Sequence, residues 1–261
     1  MRYELDRPAL RPSSGALTAE LPELPGSVRK VALKTVMLTF GRLIEVEGAE
    51  RLGAASEPAI FALNHSNSVE SVLAPATLMY LRGRPVHFLA DWMYLQIPVL
   101  GWLIRLGEPI PVYGKPARWR LREAYRLERR REPVVEACLA RLAVGGSLGI
   151  FPEGTRNADP ARLLRGRAGL GEIVLRSSAP VVPVGLHYPA AERLGRAPRL
   201  GRLVLRVGQP MPFREERQEA GLTSGQVRRE IARRVVSAVM TELQELSGKT
   251  SETNLVQRRV A

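Results

Sequence analysis

The chain has 261 residues and 45% hydrophobic content, which suits one large α/β domain with a small appendage and excludes a disordered polymer. Its 39 basic against 26 acidic residues give a formal charge of +13, which implies an anionic partner: nucleic acid, acidic lipid headgroups or an acidic carrier. The single cysteine, Cys138, excludes an intrachain disulfide framework and a cysteine-based metal cluster, and no uncharged run reaches the roughly 18–20 apolar residues of a spanning helix. With no secretory leader pattern at the N-terminus, the expected location is cytoplasmic, soluble or peripheral on a membrane.

In chain order, residues 1–26 carry Pro8, Pro12, Pro22 and Pro25 without a clear period and read as an irregular N-terminal arm. Residues 27–43 read as an amphipathic helix. Val28, Val31, Ala32, Val36, Phe40 and Leu43 share one face, with Arg29, Lys30, Lys34 and Arg42 elsewhere. Such a helix either packs on the domain or lies as a basic anchor on anionic lipid. From residue 44 to 248 strands and helices alternate. The predicted strands are Ile44–Glu47, Ala59–Leu63, Val86–Ala90, Ile110–Val112, Ser147–Phe151, Val181–Leu186 and Arg202–Val207. Helices are predicted over 69–82, 93–105, 117–144 (broken by Pro133), 166–177 and 224–246, the last opened by a Thr223/Gln226 capping box and stopped at Gly248. This alternation predicts an α/β fold with a mostly parallel central sheet flanked by helices. Residues 249–261 are polar and expected to fray.

Two segments carry chemistry. Asn64-His65-Ser66-Asn67-Ser68-Val69-Glu70 follows an apolar strand, which puts His65 at the C-terminal sheet edge where α/β folds bind ligands. An imidazole there can take a proton near neutral pH, and a carboxylate can hold its tautomer. Residues five apart diverge by about 140° on a helix, so His65 and Glu70 pair only if His65 lies in the turn and Glu70 in the first helical turn. The bland alternative is a capping cluster built from Ser66, Asn67, Ser68 and Glu70. The second segment, Phe151-Pro152-Glu153-Gly154-Thr155-Arg156, turns at the end of another apolar strand. There Gly154 permits close backbone approach and Arg156 offers a planar fork to a phosphate. Gly145-Gly146-Ser147-Leu148-Gly149 matches a nucleophile elbow on paper, but a helix precedes it and a strand follows, the reverse of what the elbow needs. His65, His87 and His187 lack metal-ligand spacing, so no metal is expected.

Together, in this order, the two segments resemble the glycerophospholipid acyltransferase family, whose first motif is H-x-x-x-x-D and whose third is F-P-E-G-T-R. Glu70 stands where that family has aspartate. The family's G-x-I-P-V-x-R motif is matched in its middle by Ile110-Pro111-Val112-Tyr113, with Gly114 at the arginine position and Lys115 or Arg118 as substitutes. The apolar Ala179-Pro180-Val181-Val182-Pro183-Val184 is similar to its fourth block.

The resemblance implies an O-acyltransferase in which His65 is general base and Glu70 orients it. It places an acceptor glycerol phosphate on Glu153, Gly154, Thr155 and Arg156, with Arg165 and Arg167 completing the phosphate pocket or standing as solvated surface. It implies acyl-CoA or acyl-carrier protein as donor substrate, no bound cofactor, and a lysophospholipid or glycerol phosphate as acceptor. Other acceptors on the same fold, a sugar or an amino-lipid, stay open. So does a non-catalytic basic protein of membranes or nucleic acid, although aromatics at 5% do not interleave with the arginines as a base-stacking platform requires, which disfavours nucleic acid. The uncharged stretch from Trp92 to Ile104 reads as an interfacial segment or acyl-chain wall, or as a buried core helix. The arginine series from Arg118 to Arg131 beyond it suits lipid phosphates, an acidic carrier protein or solvent.

Overall fold

A computed structural model describes residues 9–13, 18, 20–21, 24–54, 58–117, 120–129, 133–157, 159, 161–194 and 201–251. Among these residues seven strands form one sheet in the order β1-β8-β7-β2-β5-β3-β4. They are β1 (Ile44–Glu47), β2 (Ile60–Leu63), β3 (Val86–Asp91), β4 (Ile110–Val112), β5 (Ser147–Ile150), β7 (Val181–His187) and β8 (Leu203–Val207). Every neighbouring pair is parallel except β7 with β8, so β7, β2, β5, β3 and β4 all present their C-terminal ends to one edge. Strands β2 and β5 are buried along their whole length, as expected for central parallel strands covered on both faces.

The helices divide between the two sheet faces. One core layer joins α1 (Ser27–Phe40) and α3 (Glu70–Arg82) to Phe61, Leu63, Val182 and Val184. The other joins α6 (Val134–Ala143), α7 (Ala168–Arg176) and the long α10 (Gly225–Ser247) to Ile60, Ala62, Leu148 and Ile150. Cys138 lies fully buried in the second layer, and burial pushes its thiol up to about 12, as befits an inert core cysteine. Gly171 is required where α7 meets α10, because a Cβ there would stand 2.2 Å from the Ala232 carbonyl oxygen.

The sheet and the principal helices match expectation; four details differ. In α1 the side chains that bury are Leu33 and Met37, whereas Val28 and Val31 are 60% and 63% exposed, so two of the six residues of the expected apolar face point outward. The helix expected over 93–105 is a 3-10 turn (Tyr94–Gln96) followed by α4 (Pro98–Arg105), since Pro98 lacks an N–H and starts a new helix. Pro133, as expected, separates α5 (Arg120–Arg129) from α6. The Thr223/Gln226 capping box does not form. Ser224 is the N-cap of α10, while the Thr223 hydroxyl donates to Glu219 O in the preceding α9 (Arg214–Gly221). Finally, the tail expected to fray from residue 249 is ordered at its start, where β9 (Thr250–Ser251) pairs in parallel with β6 (Arg162–Leu163). Residues 252–261, most of the N-terminal arm, and Arg118, Arg130 and Arg131 lie outside the described residues.

Pro183 occupies the interior of β7, a position usually closed to proline. Its carbonyl accepts Gly208 N–H at 2.8 Å, so its missing donor faces Gly208, just past the end of the antiparallel β8 ladder, and not the parallel ladder with β2.

Candidate active site

The two motif segments meet at the shared sheet edge. After β2 the Asn64 side chain continues the ladder in place of backbone: its Nδ2 donates to Leu186 O at 3.0 Å and its Oδ1 accepts Leu186 N–H at 2.6 Å. That frees the main chain to turn outward at His65. Asn67 Oδ1 then accepts the Val69 and Glu70 amides at 2.8 and 3.0 Å, which starts α3 at Glu70. His65 is thus in the turn and Glu70 in the first helical turn, the arrangement the pair requires.

Glu70 is fully buried and both its oxygens are engaged. Oε1 lies 2.7 Å from His65 Nδ1 and also accepts the Ser66 amide; Oε2 accepts the Tyr188 hydroxyl at 2.9 Å. Tyr188 follows β7 directly, so a third strand end contributes to the site. Burial and the Glu70 carboxylate hold the Tyr188 phenol far above its ordinary range, so it remains a donor. With Nδ1 donating to Glu70, the lone pair sits on Nε2. Ser71 Oγ stands 3.5 Å from Nε2, too distant to occupy that nitrogen strongly. The imidazole stacks on Phe151, with ring centroids 4.4 Å apart.

The second segment grips the backbone of His65. Glu153 Oε1 accepts His65 N–H at 2.9 Å, Asn157 N–H donates to His65 O at 2.8 Å, and Glu153 Oε2 accepts Leu164 N–H at 2.8 Å. Glu153, expected to contact the acceptor, has both oxygens on backbone amides, so its buried carboxylate straps the two loops together. Burial pushes the Glu153 carboxyl upward, against the pull of those two amides and of Lys249 and His65. Gly154, Thr155 and Arg156 are exposed. Gly154 has φ +66, and Arg167 drapes across it, 3.0 Å from where a Cβ would be. The Arg167 amide donates to Pro152 O at 2.8 Å and its Nε to Glu153 O at 3.4 Å, while Arg165 is exposed. Five of the six expected binding residues thus flank the strap, and all five open a polar or charged side chain, or in Gly154 the backbone, to solvent.

Beyond these, Trp92 and Tyr113 follow β3 and β4 at the same edge, where Trp92 Nε1 donates to Lys115 O at 3.1 Å. Lys115 itself pairs with Asp91 at 3.0 Å. The bland reading of Trp92–Ile104 fails: α4 buries Gly101 but leaves Val99 79% and Trp102 51% exposed. His87 Nδ1 stands 3.0 Å from Glu108 O and His187 Nδ1 stands 3.2 Å from Ser247 O. Among the described residues no three His, Cys, Asp or Glu side chains converge as a metal site. No helix among them is long and apolar enough to cross a membrane. Tyr188, Asn157 and Lys249 were missed from sequence. Their signal is long-range, and only Asn157, the residue immediately after the hexapeptide, stood near a motif.

Residues 43–187 match the family profile described as "Acyltransferase". The chain is 28% identical over 143 residues to the chloroplastic 1-acyl-sn-glycerol-3-phosphate acyltransferase LPAT1 of Arabidopsis thaliana, covering 55% of this chain and 35% of that protein. It is 26% identical over 143 residues to a 1-acyl-sn-glycerol-3-phosphate acyltransferase of Chlamydomonas reinhardtii, covering 55% and 38%. The matched segment therefore spans little more than a third of these relatives. The crystal structure of the 1-acyl-sn-glycerophosphate acyltransferase PlsC from Thermotoga maritima superposes with a TM-score of 0.54 at 20% identity, over 83% of this chain and 80% of that one, which establishes a shared fold. With the histidine–carboxylate pair, the strapped Phe-Pro-Glu-Gly-Thr-Arg loop and a profile match over more than half its length, this chain belongs to the acyltransferase family.

Proposed function

We propose that this protein moves a fatty acyl group from a thioester, acyl-CoA or acyl-carrier protein, to a hydroxyl of a 1-acylglycerol-3-phosphate-type lysophospholipid, with His65 as general base. The observation that carries the reading is the 2.7 Å contact between His65 Nδ1 and a fully buried Glu70, which leaves Nε2 for an incoming hydroxyl. Nε2 takes the acceptor proton as the oxygen attacks the thioester carbonyl. The tetrahedral intermediate then collapses, expelling the thiolate, which recovers the proton from the imidazolium. Ester and free thiol result, and neither a covalent acyl-enzyme nor a bound cofactor enters the scheme.

The names of the plant and algal relatives favour a glycerol-phosphate acceptor, and exposed Arg156, Arg165 and Arg167 supply guanidinium forks for its phosphate. Acceptor and product are amphiphiles, so we place the protein peripherally on an anionic membrane, on its cytoplasmic side. Supporting this, Arg29 on α1 bonds Glu108 just beyond α4 at 3.0 Å, which joins two elements that expose Val28, Val31, Ile97, Val99 and Trp102 beside Lys30 and Arg105. One observation favours a different acceptor, such as a sugar or amino-lipid: Gly114 stands at the family's arginine position while Lys115 is paired with Asp91. The test is purified protein with acyl-CoA and a panel of lysolipids, a sugar and an amino-lipid, with products read by mass. The expected product is acylated lysophosphatidate, lost in His65→Ala; a variant retaining the wild-type rate overturns the assignment.

A further inference from the structure

Lys249 lies outside the segment that defines the family, 62 residues beyond its end at residue 187. Gly248, at φ +71, ends α10 and turns the chain back toward the catalytic edge. There Thr250 N–H donates to Ala161 O at 2.8 Å, and β9 docks along β6, immediately before the Leu164 amide that Glu153 binds. The docked segment delivers Lys249 into the interior. Its side chain is buried and its Nζ donates to Ser66 Oγ, next to the catalytic histidine.

A buried ammonium is unfavourable unless opposite charge surrounds it. Here Glu70 and Glu153 are both buried and both bind His65, one at the ring and one at the backbone amide. Two buried carboxylates gathered on one histidine, one at its ring and one at its backbone amide, leave the site with an excess of buried negative charge. A single cation balances them: with Lys249 the cluster carries one net negative charge when His65 is neutral and none when it has taken the acceptor's proton.

We infer that Lys249 is a positioning residue of the acyl-transfer site, tethering the His65 loop through Ser66 and offsetting one of the two buried carboxylates that bind His65. The inference rests on the acyltransferase reading for its kinetic consequence. The charged groups facing Lys249 are Glu70 at the start of α3, and Glu153 and Asp159 in the loop after β5. Those around the imidazole are Glu70, Glu153 and, through Ser66, Lys249, with Ser71 and the Phe151 ring beside it.

The experiment compares the full chain with Lys249→Met, Lys249→Gln and Lys249→Arg, using oleoyl-CoA and oleoyl-lysophosphatidate in mixed micelles. Lys249→Met and Lys249→Gln should lower kcat about tenfold with both KM values within about twofold, and should move the acid limb of the pH–rate profile up by about one pH unit. Lys249→Arg should restore kcat and the limb in large part. Lys249→Gln keeps a donor for Ser66, so it reports the charge even if Lys249→Met does not fold. An unmoved acid limb, or a kcat loss that only follows the folded fraction, overturns the inference. If wild-type protein turns over no lysophosphatidate, the acyltransferase reading fails on its own. The histidine proton resonances, assigned with His65→Ala, still decide the matter for Lys249. The His65 signal should titrate at higher pH in Lys249→Gln than in wild type, and coincident curves overturn the inference.

Discussion

Glutamine at position 153 separates a strap from a substrate contact. Glu153 is 1% exposed and spends one oxygen on the His65 amide and the other on the Leu164 amide, at 2.9 and 2.8 Å. Glu153→Gln keeps the shape but turns one oxygen into an NH2 group, so a donor then faces a buried donor. A buried N–H without its partner costs about 1–3 kcal/mol. Part of that is returned, because burial pushes the wild-type carboxyl upward and a neutral amide carries no such desolvation cost. A net loss of about 1–2 kcal/mol remains, which lowers the Tm of a chain this size by about 2–8 °C. Calorimetry gives the Tm, and steady-state kinetics give the rest. Whichever of the two amides loses its acceptor, the strap that braces the His65 loop slackens, so kcat should fall while KM for the acceptor stays within about twofold. The contrast is Arg156→Ala, an exposed side chain, whose Tm should hold within about 1 °C while the KM for a phosphorylated acceptor rises about tenfold. A Glu153→Gln protein with wild-type Tm and a raised acceptor KM would refute the strap.

Tyr188→Phe removes the donor to Glu70 Oε2 and should cost about 1–3 kcal/mol, read by denaturant titration, together with a lower kcat at unchanged acceptor KM. Val99→Asp combined with Trp102→Asp, both on exposed positions of α4, should weaken sedimentation with anionic vesicles about tenfold and leave Tm unchanged. Burial holds the Lys249 ammonium below the ordinary lysine range. The unfolded chain therefore binds the extra proton between that lowered value and about 10.4, and stability rises with pH across the window. Lys249→Met should lose this rise in denaturant midpoints measured across alkaline pH.

The parts of this molecule that were legible in its sequence are those fixed by local pattern. Ile60–Leu63, Ser147–Ile150 and Val181–His187 are continuous apolar runs, and such runs become central parallel strands because both faces must be covered. The His65–Glu70 pair was legible because a turn followed by a helix start is the one local geometry that lets residues five apart touch. Tyr188 and Lys249 were not legible, since they reach the site across 118 and 183 positions through strand order and a helix reversal, which no spacing encodes. Glu153 was visible by type but not by role: the same hexapeptide serves a buried strap or an acceptor contact equally well until the partners of its oxygens are known. The exposure of Val28, Val31 and Val99 was one of two open readings, because an apolar face looks alike whether it covers a core or faces outward.

The glutamate at position 70 now has a physical explanation, and it constrains what aspartate could do there. Asn67, not residue 70, supplies the side-chain acceptor for the first amides of α3, which leaves the Glu70 carboxylate free to turn back toward the loop. Its extra methylene carries Oε1 to both the Ser66 amide and His65 Nδ1 while Oε2 meets the Tyr188 hydroxyl. Aspartate on the same backbone is shorter by one carbon and cannot hold the imidazole and the phenol together, so one buried partner goes unpaired at a cost of about 1–3 kcal/mol. Glu70→Asp, although it restores the residue typical of the family, should therefore lower kcat, and should do so less in combination with Tyr188→Phe, which relieves the competing demand. Non-additivity of this sign in a double-mutant cycle is the signature of two residues sharing one carboxylate; additive losses would show that Tyr188 has no part in setting the glutamate.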